Sequence, residues 1–157
     1  MGAAMSPFNA FMFIQGLETL HLRMKEHSSN GQKVAEHLSK HSMVERVAYP
    51  GTSSGLPKER ADKYLSNGCG GLLGFEIKGG HEAGKKFINS LEMLYHVANI
   101  GDSRSLAIHP ASTTHSQLNE EELASGGISS GYIRLSIGLE HIDDILADID
   151  QALAKAD

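Results

Sequence analysis

The segment Gly131–Glu140 limits the possible folds of this chain more than any other stretch of its sequence. Apolar and polar side chains alternate along it, which is the period of a strand with one buried face. Arg134 in its middle needs an anion, because a buried guanidinium without a partner costs several kcal/mol. The sequence therefore predicts either a structural carboxylate or an anionic ligand beside this arginine. The two faces of the predicted strand are Ile133, Leu135 and Ile137 on one side and Tyr132, Arg134 and Ser136 on the other.

Length and composition predict one domain and disfavour several classes of partner. With 157 residues, 40% of them hydrophobic and 21% charged, the chain can bury one sizeable core. The net charge of -5 gives no electrostatic reason to expect nucleic acid. No apolar run approaches the roughly 20 residues of a membrane span, and no signal-peptide pattern opens the chain. We therefore predict no membrane partner and a cytoplasmic location. The single cysteine, Cys69, excludes an internal disulfide and disfavours a thiolate-rich metal site.

Hydrophobic periodicity and turn residues predict an α+β fold, with a mostly antiparallel four-stranded sheet and helices on one face. The helical region 6–40 begins at Ser6, an N-cap residue that precedes a proline. A break is predicted within it at Ser28–Gly31, where residues that favour caps and turns cluster. The other predicted helices are Pro57–Leu65, Gly80–Leu91 and a C-terminal helix with apolar residues from Ile142 to Leu153. The predicted strands are Val44–Tyr49, Gly70–Ile77, Tyr95–Ile100 and the Arg134 segment.

The sequence does not support two other kinds of active site. His109 and His115 have no carboxylate or cysteine at ligand spacing, so no metal site is predicted. Serines and histidines are plentiful, but no Gly-x-Ser-x-Gly motif accompanies them, so a hydrolase triad is not predicted either. Asn99 and Gly101 lie at the end of a predicted strand and are ordinary turn residues when considered singly.

Three segments together resemble the C-terminal domain of the Cys/Met-metabolism family of pyridoxal-phosphate (PLP) enzymes, and within it the O-acetylhomoserine sulfhydrylases. They are Ser-Leu-Ala-Ile-His-Pro-Ala-Ser-Thr-Thr-His (105–115), Ile-Arg-Leu-Ser-Ile-Gly-Leu-Glu (133–140) and Val-Ala-Tyr-Pro-Gly (47–51). Thr52 stands where the family usually has leucine. The resemblance begins at about Gly2 and covers nearly the whole chain, but only the last third of the family's polypeptide. It implies that 1–157 is a single substrate-side domain, a fragment of a longer enzyme, and that 6–40 links it to a missing N-terminal PLP domain.

The resemblance also implies roles for particular residues. Arg134 would hold the α-carboxylate of an amino-acid substrate, since a guanidinium fork suits a planar carboxylate. Asn99 would be a second contact to that carboxylate. Ser105 and Leu106 would lie at the same rim of the substrate site. The loop that contains His109, Thr114 and His115 would form one wall of the active site, with no histidine acting as acid or base.

No catalytic or cofactor-binding residue is implied within this chain. The intact enzyme would use PLP, which requires a lysine to bind it covalently. No lysine here has the sequence context of the family's Schiff-base site, so all of them are interpreted as solvated charges. The lysine is therefore expected outside this chain, and the chain alone is expected to be inactive.

The resemblance leaves alternatives open for the function. The intact protein would be a homo-oligomer that makes homocysteine from O-acetylhomoserine and sulfide. A cystathionine γ-synthase, a cystathionine γ-lyase or a methionine γ-lyase is the alternative within the family. A non-catalytic interaction module with the same fold is the alternative of another class, and the apolar first helix is the feature that favours it.

Overall fold

The structure is a computed structural model that describes residues 4–157. The beginning of the family resemblance near Gly2 lies outside the described residues. The expected α+β class is confirmed, because the strands form a single sheet and share one hydrophobic core with the helices that pack on it. Along residues 4–157, no helix is both long and apolar enough to cross a membrane.

The helices begin where the sequence places capping residues. Ser6 accepts a hydrogen bond from the backbone N–H of Asn9 (3.2 Å), and Pro7 is the first helical residue, as predicted. A short helix that was not predicted begins with a capping box, in which Asn119 and Glu122 bond each other's backbone N–H. The α-helices are α1 (Pro7–Glu18), α2 (Leu20–Leu38), α3 (Gly55–Tyr64), α4 (Gly80–Ser90), α5 (Glu120–Ser125) and α6 (Ile142–Ala156).

The sheet has five strands, one more than predicted. The additional strand was missed because its three residues are all buried and lack the alternation that identifies a half-buried strand. Only Tyr95–His96 of the predicted third strand pairs within the sheet, in parallel with the additional strand, and the other pairings are antiparallel. The strands are β1 (Val44–Ala48), β2 (Leu72–Ile77), β3 (Tyr95–His96), β4 (Leu106–Ile108) and β5 (Tyr132–Ser136), in the spatial order β1-β2-β5-β4-β3.

The helices that pack on the sheet cover one of its faces. Phe75 of β2 meets Phe87 of α4 edge to face, with ring centroids 5.4 Å apart. Ile133 and Leu135 of β5 are fully buried in the same core, to which α2 and α6 also contribute. Alternation along the strands then places polar residues on the opposite side. We call this side the open face, defined by Glu76, Tyr132, Arg134 and Ser136.

The predicted break at Ser28–Gly31 is wrong. Helix α2 passes through this segment, and the helical region divides at Thr19 instead. In this segment a residue that favours helix caps makes tertiary contacts. The buried Asn30 donates through Nδ2 to the carbonyls of Gly138 (3.2 Å) and Glu140 (3.0 Å). A side chain that bonds a distant strand end in this way does not compete with the helix backbone.

Helix α1 exposes apolar side chains and contains no buried residue. Its three phenylalanines are between 55% and 69% exposed, a large apolar surface for a folded protein. Such a surface favours a covering partner. The large exposed apolar side chains of α1 are Phe8, Phe11, Met12, Phe13, Ile14 and Leu17.

Candidate functional site

Arg134 lies in the middle of β5 and is half-buried on the open face. Its Nη2 donates to the backbone carbonyls of Ala98 (2.6 Å) and Asn99 (3.3 Å). Within residues 4–157 no carboxylate forms a salt bridge with this guanidinium. The structural ion pair, one of the two predicted partners of this arginine, is therefore not found among the described residues. Because a guanidinium has five N–H donors, two carbonyl contacts through one nitrogen leave donors for an anion.

Asn99 lies in the loop that follows β3, and the structure brings it to Arg134 through its own carbonyl. The loop is held against the end of β5, because the backbone N–H of Gly101 donates to Ser136 Oγ (3.0 Å). Farther along, the Leu139 N–H donates to the Ser103 carbonyl (2.8 Å). The side chain of Asn99 is exposed. The arrangement places an exposed amide and a guanidinium at one rim of the open face.

Sequence reasoning missed the surroundings of Arg134 on β2. Gly74 is the register partner of Arg134, and the ring of Tyr132 lies over this glycine where a Cβ would otherwise be. Burial raises the pKa of the Tyr132 hydroxyl. Beside it, Arg46 donates to Glu76 (2.6 Å) in an ion pair. The signal available in the sequence was a glycine inside a strand, which indicates close approach of another group.

Ser105 and Leu106 lie inside the protein and not on its exposed rim. Ser105 is fully buried, and both its N–H (2.6 Å) and its hydroxyl (2.8 Å) donate to the Glu140 carboxylate. Its Oγ also accepts from the Gly138 N–H (2.9 Å). Leu106 is 3% exposed in β4. In this chain the Ser105 hydroxyl therefore joins β4 to the end of β5 and has no proton left for a ligand.

The loop 109–115 is organised around a buried histidine. His109 is fully buried; its Nε2 donates to the Ser130 carbonyl (2.7 Å), and its Nδ1 accepts from Ser112 Oγ (2.8 Å). Burial lowers the pKa of His109, which favours the neutral imidazole. Thr114 is exposed, and its Oγ1 lies 2.9 Å from Nδ1 of the half-buried His115. His109 thus supports the loop from inside, and the outer surface of the loop belongs to Thr114 and His115.

All the lysines of the described residues have exposed side chains. Lys58 pairs with Asp62, and Lys155 lies 3.2 Å from Glu92, which is typical of solvated surface charges. None lies in a buried apolar surrounding of the kind that activates a lysine amine. The lysines are Lys25, Lys33, Lys40, Lys58, Lys63, Lys78, Lys85, Lys86 and Lys155.

Comparison with protein families and curated proteins identifies the relatives of this chain. The family described as Cys/Met metabolism PLP-dependent enzyme matches residues 1–154. The chain is 56% identical over 154 residues to an O-acetyl-L-homoserine sulfhydrylase of Leptospira meyeri, covering 98% of this chain and 35% of that protein. It is 46% identical over 152 residues to an L-methionine gamma-lyase of Pseudomonas putida, covering 97% of this chain and 38% of that protein.

The solved structures give the same result for the fold. A crystal structure from Campylobacter jejuni, of a protein assigned as an O-acetylhomoserine (thiol)-lyase, matches with a TM-score of 0.87 and 47% identity. That protein carries a pyridoxyl-lysine phosphate. The match covers 98% of this chain and 36% of that one, so the chain spans about a third of the length of the relatives it matches.

Proposed function

The chain belongs to the Cys/Met metabolism PLP-dependent enzyme family, and from this premise we propose that it is the substrate-side domain of an enzyme that makes homocysteine from O-acetylhomoserine and sulfide. Relatives with sulfhydrylase or homocysteine synthase names, at 46% to 56% identity, support this reaction. The observation that carries the proposal is the Arg134 guanidinium on the open face. It has no carboxylate partner within residues 4–157 and lies beside the exposed Asn99.

In this proposal Arg134 holds the α-carboxylate of the substrate. The guanidinium matches a planar carboxylate with two parallel N–H donors, and its Nη2 contacts with Ala98 and Asn99 orient the remaining donors. The Asn99 side-chain amide is the second contact to the same carboxylate. Loop 109–115 is proposed as a wall of the active site through Thr114 and His115, whose shape depends on the buried His109.

The cofactor of the intact enzyme is proposed to be PLP, which stabilises negative charge formed on the substrate carbons next to its imine. The residues of this chain do not fit the site that binds it covalently, since every lysine of the described residues is exposed. The lysine is proposed to lie in the other two thirds of the intact protein. The same missing domain is proposed to cover α1 and the open face, in a cytoplasmic homo-oligomer.

A hybrid enzyme tests the proposed reaction. The segment of the Leptospira meyeri sulfhydrylase that matches this chain is replaced by the corresponding 154 residues of this chain, and homocysteine formation from O-acetylhomoserine and sulfide is measured. At 56% identity we expect the hybrid to fold and to form homocysteine, within about tenfold of the rate of the unmodified relative.

The unmodified sulfhydrylase is the control for assembly and cofactor loading. Elimination from methionine is measured in parallel, because the methionine gamma-lyase of Pseudomonas putida is also a relative. A hybrid that eliminates from methionine and does not make homocysteine would replace the proposed reaction by that one. A folded hybrid that binds PLP but has neither activity would contradict the proposal and favour a non-catalytic module.

The isolated chain is expected to form no stoichiometric covalent adduct with PLP. After incubation with PLP and borohydride reduction, the intact mass should show little addition or partial additions spread over several lysines, because all of them are solvated. The hybrid enzyme, which includes the remaining part of the relative, serves as the positive control. One complete adduct on a single lysine of this chain would show that the cofactor lysine is here after all.

A further inference from the structure

A cavity of about 230 Å³ lies where α2 passes the ends of β2 and β5. This volume has room for several water-sized molecules, each of which takes about 30 Å³ in the liquid. Most of its lining residues are apolar or glycine. A few polar side chains come from α2, from β5 and from the turn before β2. The lining residues are Leu20, Arg23, Met24, His27, Cys69, Gly70, Gly71, Leu72, Ile100, Gly101, Ser136 and Ile137.

His27 is a buried polar residue in this wall that has no part in the proposed function. It is 6% exposed, and its Nδ1 lies 2.6 Å from the Ile137 carbonyl oxygen. Because a carbonyl only accepts, Nδ1 carries the hydrogen and donates it. In residues 4–157, Nε2 makes no hydrogen bond. In this tautomer Nε2 has a lone pair, so His27, a lining residue of the cavity, has an acceptor nitrogen that no described residue uses.

Arg23 supplies the positive charge of the same cavity. One of its nitrogens, Nη2, donates to the Gly16 carbonyl, and the side chain is half-buried. No acidic residue is part of the lining. The cavity therefore combines a guanidinium, an acceptor nitrogen and apolar walls, which suits a small anion that also has a hydrogen to donate.

The cavity adjoins the Arg134 site. Ser136 follows Arg134 by two residues on β5 and therefore points to the same open face. Ile100 and Gly101 follow Asn99 directly in the loop beside Arg134. The hydrogen bond from the Gly101 N–H to Ser136 Oγ (3.0 Å) lies between the two sites. A molecule in the cavity is thus separated from the proposed carboxylate site by one loop.

We propose that this cavity binds hydrosulfide, the sulfur nucleophile of the reaction, an assignment that rests on the proposed function. The S–H group donates to His27 Nε2, and the negative charge faces Arg23. His27 keeps its own hydrogen bond to the Ile137 carbonyl throughout. The site then holds the second substrate one loop away from the first.

Titration of this chain with sodium hydrosulfide tests the site without cofactor or catalysis. The Cys69→Ser variant is used under reducing conditions, so that no sulfur adduct forms on the thiol that lines the cavity. The side-chain nitrogens of His27 and the amides of Gly71 and Gly101 are followed by NMR. We expect one saturable shift at these reporters. Sodium acetate is the matched anion without a hydrogen to donate, and it should bind at least threefold more weakly.

Two variants separate binding from folding. His27→Asn keeps an N–H donor for the Ile137 carbonyl and removes Nε2, so hydrosulfide should bind at least threefold more weakly while the amide spectrum stays native. Arg23→Gln removes the charge and should weaken binding similarly. The proposal is overturned if the wild-type reporters do not saturate, if acetate binds as well, or if both variants bind like the wild type. A failed titration leaves the hybrid enzyme's reaction standing, and an inactive hybrid leaves a positive titration standing, so the two proposals fail separately.

Discussion

Replacing Arg134 by lysine in the hybrid enzyme is expected to lower kcat/KM for O-acetylhomoserine on the order of a hundredfold. Lysine keeps the charge but loses the planar fork that can bond both oxygens of a carboxylate. It also loses the Nη2 contacts to the carbonyls of Ala98 and Asn99, which orient the guanidinium in the wild type. Steady-state kinetics with O-acetylhomoserine and with its analogue lacking the carboxyl group measure the effect. The hybrid with Arg134 should strongly prefer O-acetylhomoserine to the analogue without the carboxyl group. The lysine variant should show a much smaller preference.

Arg46→Lys is the matched control, because Arg46 lies on the same side of the sheet but is an exposed partner of Glu76. Its kinetic effect should stay within about twofold, since exposed ion pairs contribute at most about 1 kcal/mol. If Arg134→Lys left both the rate and the preference for the carboxylate substrate unchanged, Arg134 would not be the anchor. Loss of activity against both compounds to the same extent would indicate a structural role.

Replacing Asp148 by alanine is expected to lower the free energy of unfolding of this chain by about 3 kcal/mol. This carboxylate on α6 is 6% exposed and accepts from the backbone N–H groups of Glu92 (2.8 Å), Met93 (3.0 Å) and Leu94 (2.9 Å). It therefore joins the last helix to the turn that leads into β3. Without it, three backbone donors lose their partner, and that of Leu94 is buried. Urea unfolding measures the difference.

Asp150→Ala provides the comparison on the same helix. Among the residues that the structure describes, Asp150 pairs only with the half-buried His37 (2.6 Å), and its side chain is 46% exposed. Its removal should cost less than about 1 kcal/mol. Equal losses for the two variants would show that the hydrogen bonds of Asp148 add little, and that both effects come from the helix itself.

The loss of unfolding free energy in the Asp148→Ala variant should depend on pH. Burial raises the pKa of this carboxyl group, but the hydrogen bonds from the backbone of Leu94, Glu92 and Met93 and from Gln151 outweigh it, so the pKa is lowered overall. A carboxyl group whose pKa is lower in the folded state contributes its full stabilisation when the pH is above the unfolded-state pKa of about 3.9. That stabilisation is lost as the pH falls through the folded-state pKa. The difference between wild type and Asp148→Ala should therefore be largest near neutral pH and shrink below about pH 4. A difference that grows on acidification would contradict this assignment.

Several site residues could be found from the sequence, but their roles depend on contacts between distant segments. Arg134 stood out as a charge inside a strand, and its predicted neighbour Asn99 is indeed beside it. Ser105 was placed at the substrate rim from motif position alone. Its partner Glu140 follows it by 35 residues, and this hydrogen bond turns the hydroxyl into the interior. A motif identifies which residues matter, but not whether each one faces the ligand or supports a residue that does.

The sequence by itself determined the alternation of buried and polar residues in β5, the N-cap at Ser6, the α+β class and the family. These features depend on neighbouring residues and on the residue order within motifs. Only the tertiary structure decided that α2 continues through Ser28–Gly31 and that β4 joins the sheet. It also decided that His27 has one nitrogen bonded and one unused. The bond from His27 to Ile137 spans 110 residues, and those from Asn30 span 108 and 110. Polar side chains that form such bonds give up their local preference for turns, and nothing in the adjacent sequence reveals which distant carbonyl they meet.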